Sequence, residues 1–229
     1  MGPISAENFR VYVVHYTPFV ERRRHLEAQL RNSGLDQFPL EWITEFDREE
    51  IANDHAIGKY CDPARFNASL VSVILKHLEA IRRISADTVP YHLVIEDDIF
   101  IPDDAISRIN RCISELPQGW EMFFAGDGCN LHIPFWRRRL GKMVHLRGYR
   151  ATWWGGGGMA RCGAGYMVEP SFAFRFLGSR HAQAPFHTAI DWLMNEVGQD
   201  LKVQCYWAEP PVVCQGAFPS WTKNKRLNS

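Results

Sequence analysis

The chain has no surplus charge of either sign: its 229 residues carry 26 Lys and Arg against 26 Asp and Glu. A net charge of zero gives no global attraction to nucleic acid or to an anionic surface, so no nucleic-acid partner is expected. No apolar run approaches the roughly 18 residues needed to cross a bilayer, which leaves only peripheral membrane contact open. The six cysteines never fall in Cys-x-x-Cys spacing, so a zinc site is not expected. The opening residues hold no secretory apolar segment. We therefore expect reduced thiols and a cytoplasmic setting, with Asn67-Ala68-Ser69 an accidental match to a glycosylation sequon. Also missing are the GxxxxGK[ST] phosphate loop, the GxSxG nucleophile elbow and the HExxH zinc helix. Gly155-x-Gly157-x-x-Ala160 fits a dinucleotide fingerprint in letters only, because no strand precedes it and no helix follows. There is no internal repeat.

What is present is a globular composition, 46% hydrophobic and 23% charged, of a length that suits one domain spanning residues 1–229. Residues 1–6 and 223–229 are short polar or basic ends expected to fray. Eight Trp are many; rings of this kind stack on the apolar faces of sugars, although core filling accounts for most of them.

Elements alternate along the first half. A β-branched and aromatic strand at 10–16 precedes a helix at 20–32 that Gly34 stops, and a strand at 38–44 follows. Phe66, Leu70, Val73, Ile74, His77, Ile81 and Ile84 share one face of a long helix over 66–84. A strand at 91–95, a helix at 103–116 ended by Pro117 and a strand at 120–125 complete the run. This order predicts an α/β, Rossmann-like, mainly parallel sheet with helices on both faces. Ligands bind such sheets beyond the strand C-termini. Three polar clusters fall there: His15-Tyr16-Thr17, Glu96-Asp97-Asp98 and Gly126-Asp127-Gly128.

The pattern changes after Asn130. Residues 135–154 read as a long loop rich in Arg and aromatics, and Gly155 to Gly158 as a mobile run resembling a lid. A strand at 164–168, helices at 171–177 and 188–197 and a strand at 201–207 follow, with irregular chain after Pro210-Pro211. We divide the domain into a first half at about 10–130 and a second half at about 131–222.

The acidic run is the most specific feature. Three carboxylates at the end of one apolar strand repel each other unless a cation is near, and hard oxygen donors suit Mn²⁺ or Mg²⁺ with substrate phosphates. Strand alternation would turn Glu96 and Asp98 to one side and Asp97 to the other. A solvated turn that caps the next helix is the alternative. His15, Tyr16 and Thr17 read as a cradle for a base and ribose, or as an ordinary turn with Thr17 capping. Of Arg22, Arg23 and Arg24, one can turn toward phosphates, and Lys76, on the polar flank of its helix, can reach a diphosphate. Trp136-Arg137-Arg138-Arg139, Lys142, Arg147 and Arg150 form a basic segment without an acid, either gripping a phosphorylated or lipid-linked acceptor or simply solvated. Asp191 lies early in a helix, where the dipole alone accounts for an acid.

Several segments, taken in order, resemble glycosyltransferase family 25, the group of bacterial lipopolysaccharide sugar transferases, collagen galactosyltransferase-like proteins and viral relatives. They are Val11 to Tyr16 with Glu21-Arg22-Arg23-Arg24, Ile95-Glu96-Asp97-Asp98-Ile99, Gly163-Ala164-Gly165-Tyr166, Ile190-Asp191, and Glu209-Pro210-Pro211 with Gln215 and Ser220. The opening strand departs from the family in ending His15-Tyr16, and the long helix in carrying Ser72 with Lys76-His77. The resemblance implies a GT-A fold, a divalent ion and inversion at the anomeric carbon, with about 10–130 as the nucleotide-sugar-binding half and about 131–222 as the acceptor-binding half.

The expected reaction moves a sugar from a nucleotide-sugar, a UDP-sugar, to a hydroxyl of a glycan or glycoconjugate. Asp98 and Glu96 are expected to hold the Mn²⁺ or Mg²⁺. Asp191 is expected to be the base, with Asp127 the second choice. Asp97, His15, Tyr16, Thr17, Arg23 and Lys76 are assigned to the donor, and Trp153 and Trp154 to the acceptor. A non-catalytic carbohydrate- or nucleotide-binding protein of the same fold, or a metal-dependent nucleotide-sugar phosphohydrolase, is the other class open at this point.

Overall fold

A computed structural model describes residues 2–216 and Phe218. Met1, Ser220 and the 223–229 tail lie outside the described residues. The start of the chain is anchored where fraying was expected: Ile4 is buried and its amide donates to Asn110 Oδ1 at 2.7 Å.

The first half runs β1 (Phe9–Val14), α1 (Val20–Ser33), β2 (Leu40–Ile43), a short α2 (Asp54–Ile57), α3 (Ala68–Ser85), β3 (Tyr91–Glu96), β4 (Ile99–Phe100), α4 (Ala105–Glu115) and β5 (Met122–Phe124). The second runs β6 (Val144–Leu146), β7 (Gly165–Val168), α5 (Pro170–Gly178), α6 (Ile190–Leu201), β8 (Cys205–Ala208) and β9 (Cys214–Gln215). Helix ends follow their local chemistry. Gly34 closes α1 at φ 74°, a left-handed conformation that costs glycine nothing, and the Asn67 side chain caps α3 by accepting from Leu70 N at 2.9 Å.

Seven strands form one sheet in the order β2-β1-β3-β7-β5-β8-β6. β1 is parallel to β2 and to β3, and β5 to β8, whereas β7 is antiparallel to both its neighbours and β6 to β8. Five strands therefore run one way and two against them. The sheet is mixed but mostly parallel, and the C-termini of β1, β3 and β5 share one edge as the alternation predicted. Val11, Val13 and Leu93 face Leu26, Leu30 and Ile109 of α1 and α4, while Tyr12, Val14 and Val94 face α3, α5 and α6. Burial on both faces explains why these strands read as unbroken apolar runs.

Two features of the second half differ from expectation. The 135–154 loop contains β6, which zips antiparallel onto β8 with Val144 opposite Ala208. Three residues flanked by basic side chains are too short to show alternation. The glycine run is packed rather than a mobile lid: a Cβ at Gly158 would stand 2.5 Å from Asn195 Oδ1, and Gly155 O accepts from Arg147 Nη2 at 2.8 Å. Gly157 and Gly158 serve close approach to Trp192 and Asn195 of α6.

One buried histidine generates a test of the fold. His92 on β3 is fully buried, and its Nε2 donates to the Val89 carbonyl at 2.7 Å while Nδ1 has no hydrogen-bond partner among the described residues. Burial pushes its pKa below the usual value, against partial restoration by the Val89 bond and the Asp87 charge. A depressed histidine stabilises the fold fully above its unfolded pKa of about 6.5, and that contribution is lost as pH falls through the folded value. His92→Gln keeps a donor but does not titrate. The stability advantage of wild type over His92→Gln, read by urea denaturation, should therefore shrink as pH drops from above 7 to about 5; a constant difference would overturn the assignment.

Candidate active site

The strand-end clusters meet in one cavity of about 640 Å³. His15 and Tyr16 enter from the end of β1, Glu96, Asp97 and Asp98 from the end of β3, and Asp127 from beyond β5. Arg22 reaches in from α1, Lys76 from α3 and Asp191 from the first turn of α6. The C-terminal strand β9 pairs antiparallel with β4, which lays Gln215 and Gly216 across the acidic turn. Gly216 N donates to Asp98 O at 3.2 Å and Gln215 N to Asp127 Oδ1 at 2.7 Å, so one strap ties two of the acid loops.

The acids are not equivalent. Strand geometry ends at Glu96, and the turn that follows sends Asp97 and Asp98 the same way. Arg22 Nη1 lies 2.9 Å from Asp97 Oδ1 and 3.4 Å from Asp98 Oδ2, and His15 Nδ1 lies 2.7 Å from Asp97 Oδ2. Asp97 therefore shares the Arg22 side with Asp98 rather than facing away from it, because period-two alternation stops where the strand stops. Glu96 instead faces His77 Nε2 at 3.2 Å. His77 Nδ1 is 2.9 Å from Tyr166 Oη, and burial holds that phenol protonated. This chain fits a tautomer in which Tyr166 donates to Nδ1 and Nε2–H donates to Glu96.

Asp98 is buried, and its Oδ1 has no hydrogen-bond partner among the described residues. Burial, then the Glu96 charge, push its pKa up to about 7 against the pull of Arg22. Asp191 is likewise pushed up to about 6, first by burial and then by Glu96. Among the described residues no cluster of three or more His, Cys, Asp or Glu is arranged to chelate an ion unaided. Asp98 with its open oxygen, beside Glu96, nevertheless fits the donor set of an ion that carboxylates share with substrate phosphates.

The remaining predicted residues divide. Lys76 is buried rather than flanking, with Nζ 2.8 Å from Asp47 Oδ1 and from the Glu45 carbonyl oxygen. Tyr16 donates to Glu49, and Arg48 stacks on its ring at 4.4 Å. Thr17 is exposed and neither caps α1 nor lines the cavity. Arg23 also stays outside: its guanidinium stacks on Trp42 at 4.5 Å and pairs with Glu27 at 3.0 Å. Trp154 packs edge-on against Trp207, and Trp153 is 83% exposed; neither lines the cavity.

The sequence reading did not select Arg22, His77, Arg48, Cys162 or Gln215, all near the acids. Arg22 joins Leu26 and Leu30 in the buried stripe of α1, but Arg23, three residues before Leu26, fits that face equally well in sequence, so spacing alone does not select Arg22. His77 was read as part of an apolar helix face and of the long helix's departure from the family, not as a site residue.

No protein-family model and no curated protein matches the sequence. Among solved structures, one similar in part is the apo crystal structure of mouse xyloside xylosyltransferase 1, at 10% identity and a TM-score of 0.41, covering 90% of this chain and 73% of that one.

Proposed function

We propose that the chain is a metal-dependent inverting glycosyltransferase that moves a sugar from a nucleotide-sugar, in our reading a UDP-sugar, onto a hydroxyl of a glycan or glycoconjugate. The observation that carries this reading is Asp98: a buried carboxylate whose Oδ1 has no hydrogen-bond partner among the described residues, beside a second carboxylate, in a cavity at the strand C-termini. The ordered resemblance to glycosyltransferase family 25 supports it, since the family's acidic signature falls on those residues.

Asp98 and Glu96 would hold the Mn²⁺ or Mg²⁺ ion, which when bound supplies Lewis-acid neutralisation of charge on a diphosphate leaving group. Arg22 and His15 hold Asp97 and so keep the acidic turn in one shape. Lys76 and Arg48 bring positive charge to the side of the cavity built by Tyr16, which suits the donor's phosphates and ribose. Asp127, tied to the strap through Gln215, is positioned to contact the transferred sugar. Asp191 takes the proton from the acceptor hydroxyl as its oxygen attacks. Arg23, Thr17, Trp153 and Trp154 have no part in this reading.

Asp98→Asn preserves shape and removes one like charge from a crowded site, so its melting temperature should not fall. Calorimetry should find Mn²⁺-linked UDP binding in wild type and none in Asp98→Asn. Equal metal-linked binding in both proteins would end the assignment. Asp191→Asn should keep UDP binding and lose transfer by about a hundredfold or more. An unchanged transfer rate, once a donor and acceptor are identified, would move the base elsewhere.

A further inference from the structure

On the acceptor half a second surface remains, outside the cavity. From Gly128 to Val168 the chain contains no acidic residue, although the whole chain is charge-balanced. Some of the basic residues there are consumed internally. Arg161 is buried against Glu209 at 2.7 Å, Arg147 bonds the carbonyls of Arg150 and Gly155, and Arg138 bonds Ile133 O at 2.6 Å. Arg137, Arg139, Lys142 and Arg150 remain exposed.

Among these charges stand large rings that the core does not take. Phe135 is 77% exposed, Trp136 63% and Trp153 83%. They form one patch: Phe135 meets Trp136 edge-on at 5.0 Å, and Trp136 stacks on Trp153 at 6.3 Å and 24°. Leu140 nearby is fully exposed. The segment is held in shape by a short 3₁₀ turn at Phe135–Arg137, by Arg138 on Ile133 O and by Arg111 on Gly141 O. It begins three residues beyond His132, which lines the cavity.

We propose that this ring-and-base patch docks the protein on an anionic lipid bilayer. Two properties favour a bilayer over another occupant. Indole rings beside apolar side chains suit the headgroup boundary, where an amphipathic ring is half wet. Exposed Arg and Lys in the same segment, which itself carries no acid, complement lipid phosphates. A net charge of zero puts this attraction in the local patch alone, so binding is set by a few named residues. Docking there would bring the cavity rim, through His132, toward the lipid surface. The inference is independent of the reaction assigned to the cavity.

The test is sedimentation of the full chain with phosphatidylcholine vesicles, with and without phosphatidylglycerol, followed also by tryptophan emission. Wild type should bind the anionic vesicles, with a blue shift, and release them as salt rises. Arg139→Ala combined with Lys142→Ala should weaken partitioning by about 30-fold, and Trp136→Ala should remove most of the blue shift, while both keep the wild-type melting temperature and UDP binding. Loss of vesicle binding with intact UDP binding separates this surface from the cavity. No binding of wild type to anionic vesicles would overturn the proposal, as would binding that neither variant alters. Capture of a soluble acidic glycan without vesicle binding would overturn it too, in favour of a glycan partner.

Discussion

Crowded negative charge at the end of β3 is the constraint that the rest of the site answers to. Glu96, Asp97 and Asp98 sit next to each other, the two aspartates are buried, and the charged form of Asp98 is opposed by desolvation and by its acidic neighbours. The fold answers only in part. Asp97 has two cationic or hydrogen-bonding partners in Arg22 and His15, Glu96 has His77, and Asp98 shares Arg22 at the longer distance of 3.4 Å. A carboxylate fully compensated by protein would have little to offer a ligand. An uncompensated one is costly, because breaking a buried pair typically loses 3 kcal/mol or more. Asp98 lies between these limits, which is what a site for an exchangeable cation requires.

Much of this was legible in the sequence because it depends on local pattern. Apolar strands ending in polar clusters, helices bounded by Gly34 and Pro117, and the acidic triplet itself all belong to short windows. The convergence of the β1, β3 and β5 ends followed from alternation and survived the unforeseen insertion of the expected 164–168 strand between β3 and β5. β7 is antiparallel and wedged between β3 and β5, yet it leaves the direction of both unchanged. The choice among Arg22, Arg23 and Arg24 was not encoded in spacing, since Arg22 at four residues and Arg23 at three residues before Leu26 both fit its face; the fold buries Arg22 and leaves Arg23 on Trp42.

Other parts were not legible, for identifiable reasons. The bend at Asp97 and Asp98 ends strand periodicity, so facing could not be extrapolated past Glu96. Lys76 looked solvated because its partner, Asp47, is far away in sequence and contributes no pattern. β6 and β9 are three and two residues long, and strands that short exist only because a partner is already in place. Trp153 and Trp154 illustrate a general weakness of reading composition. Adjacent in sequence, one packs on Trp207 and the other stands in solvent against Trp136.

The strap formed by residues 212–216 gives the acids their common frame. β5 and the acidic turn belong to separate crossovers, and nothing in either segment sets the distance between Asp127 and Asp98. Val212 and Val213 bond Ala125 O, Gln215 bonds Asp127, and Gly216 bonds Asp98 O, so a single extended segment sets both loops at once. Backbone approach there depends on missing side chains: a Cβ at Gly165 would stand 2.6 Å from Val213 Cγ2, and one at Gly163 would stand 2.6 Å from Glu96 Oε1. The Gly163-Ala164-Gly165-Tyr166 segment is thus accounted for by packing. Its glycines let the strap and Glu96 close on β7, and its tyrosine orients the histidine that holds Glu96. A site assembled this way couples its carboxylates mechanically, so a change at the strap should reach the acidic turn without touching a ligand.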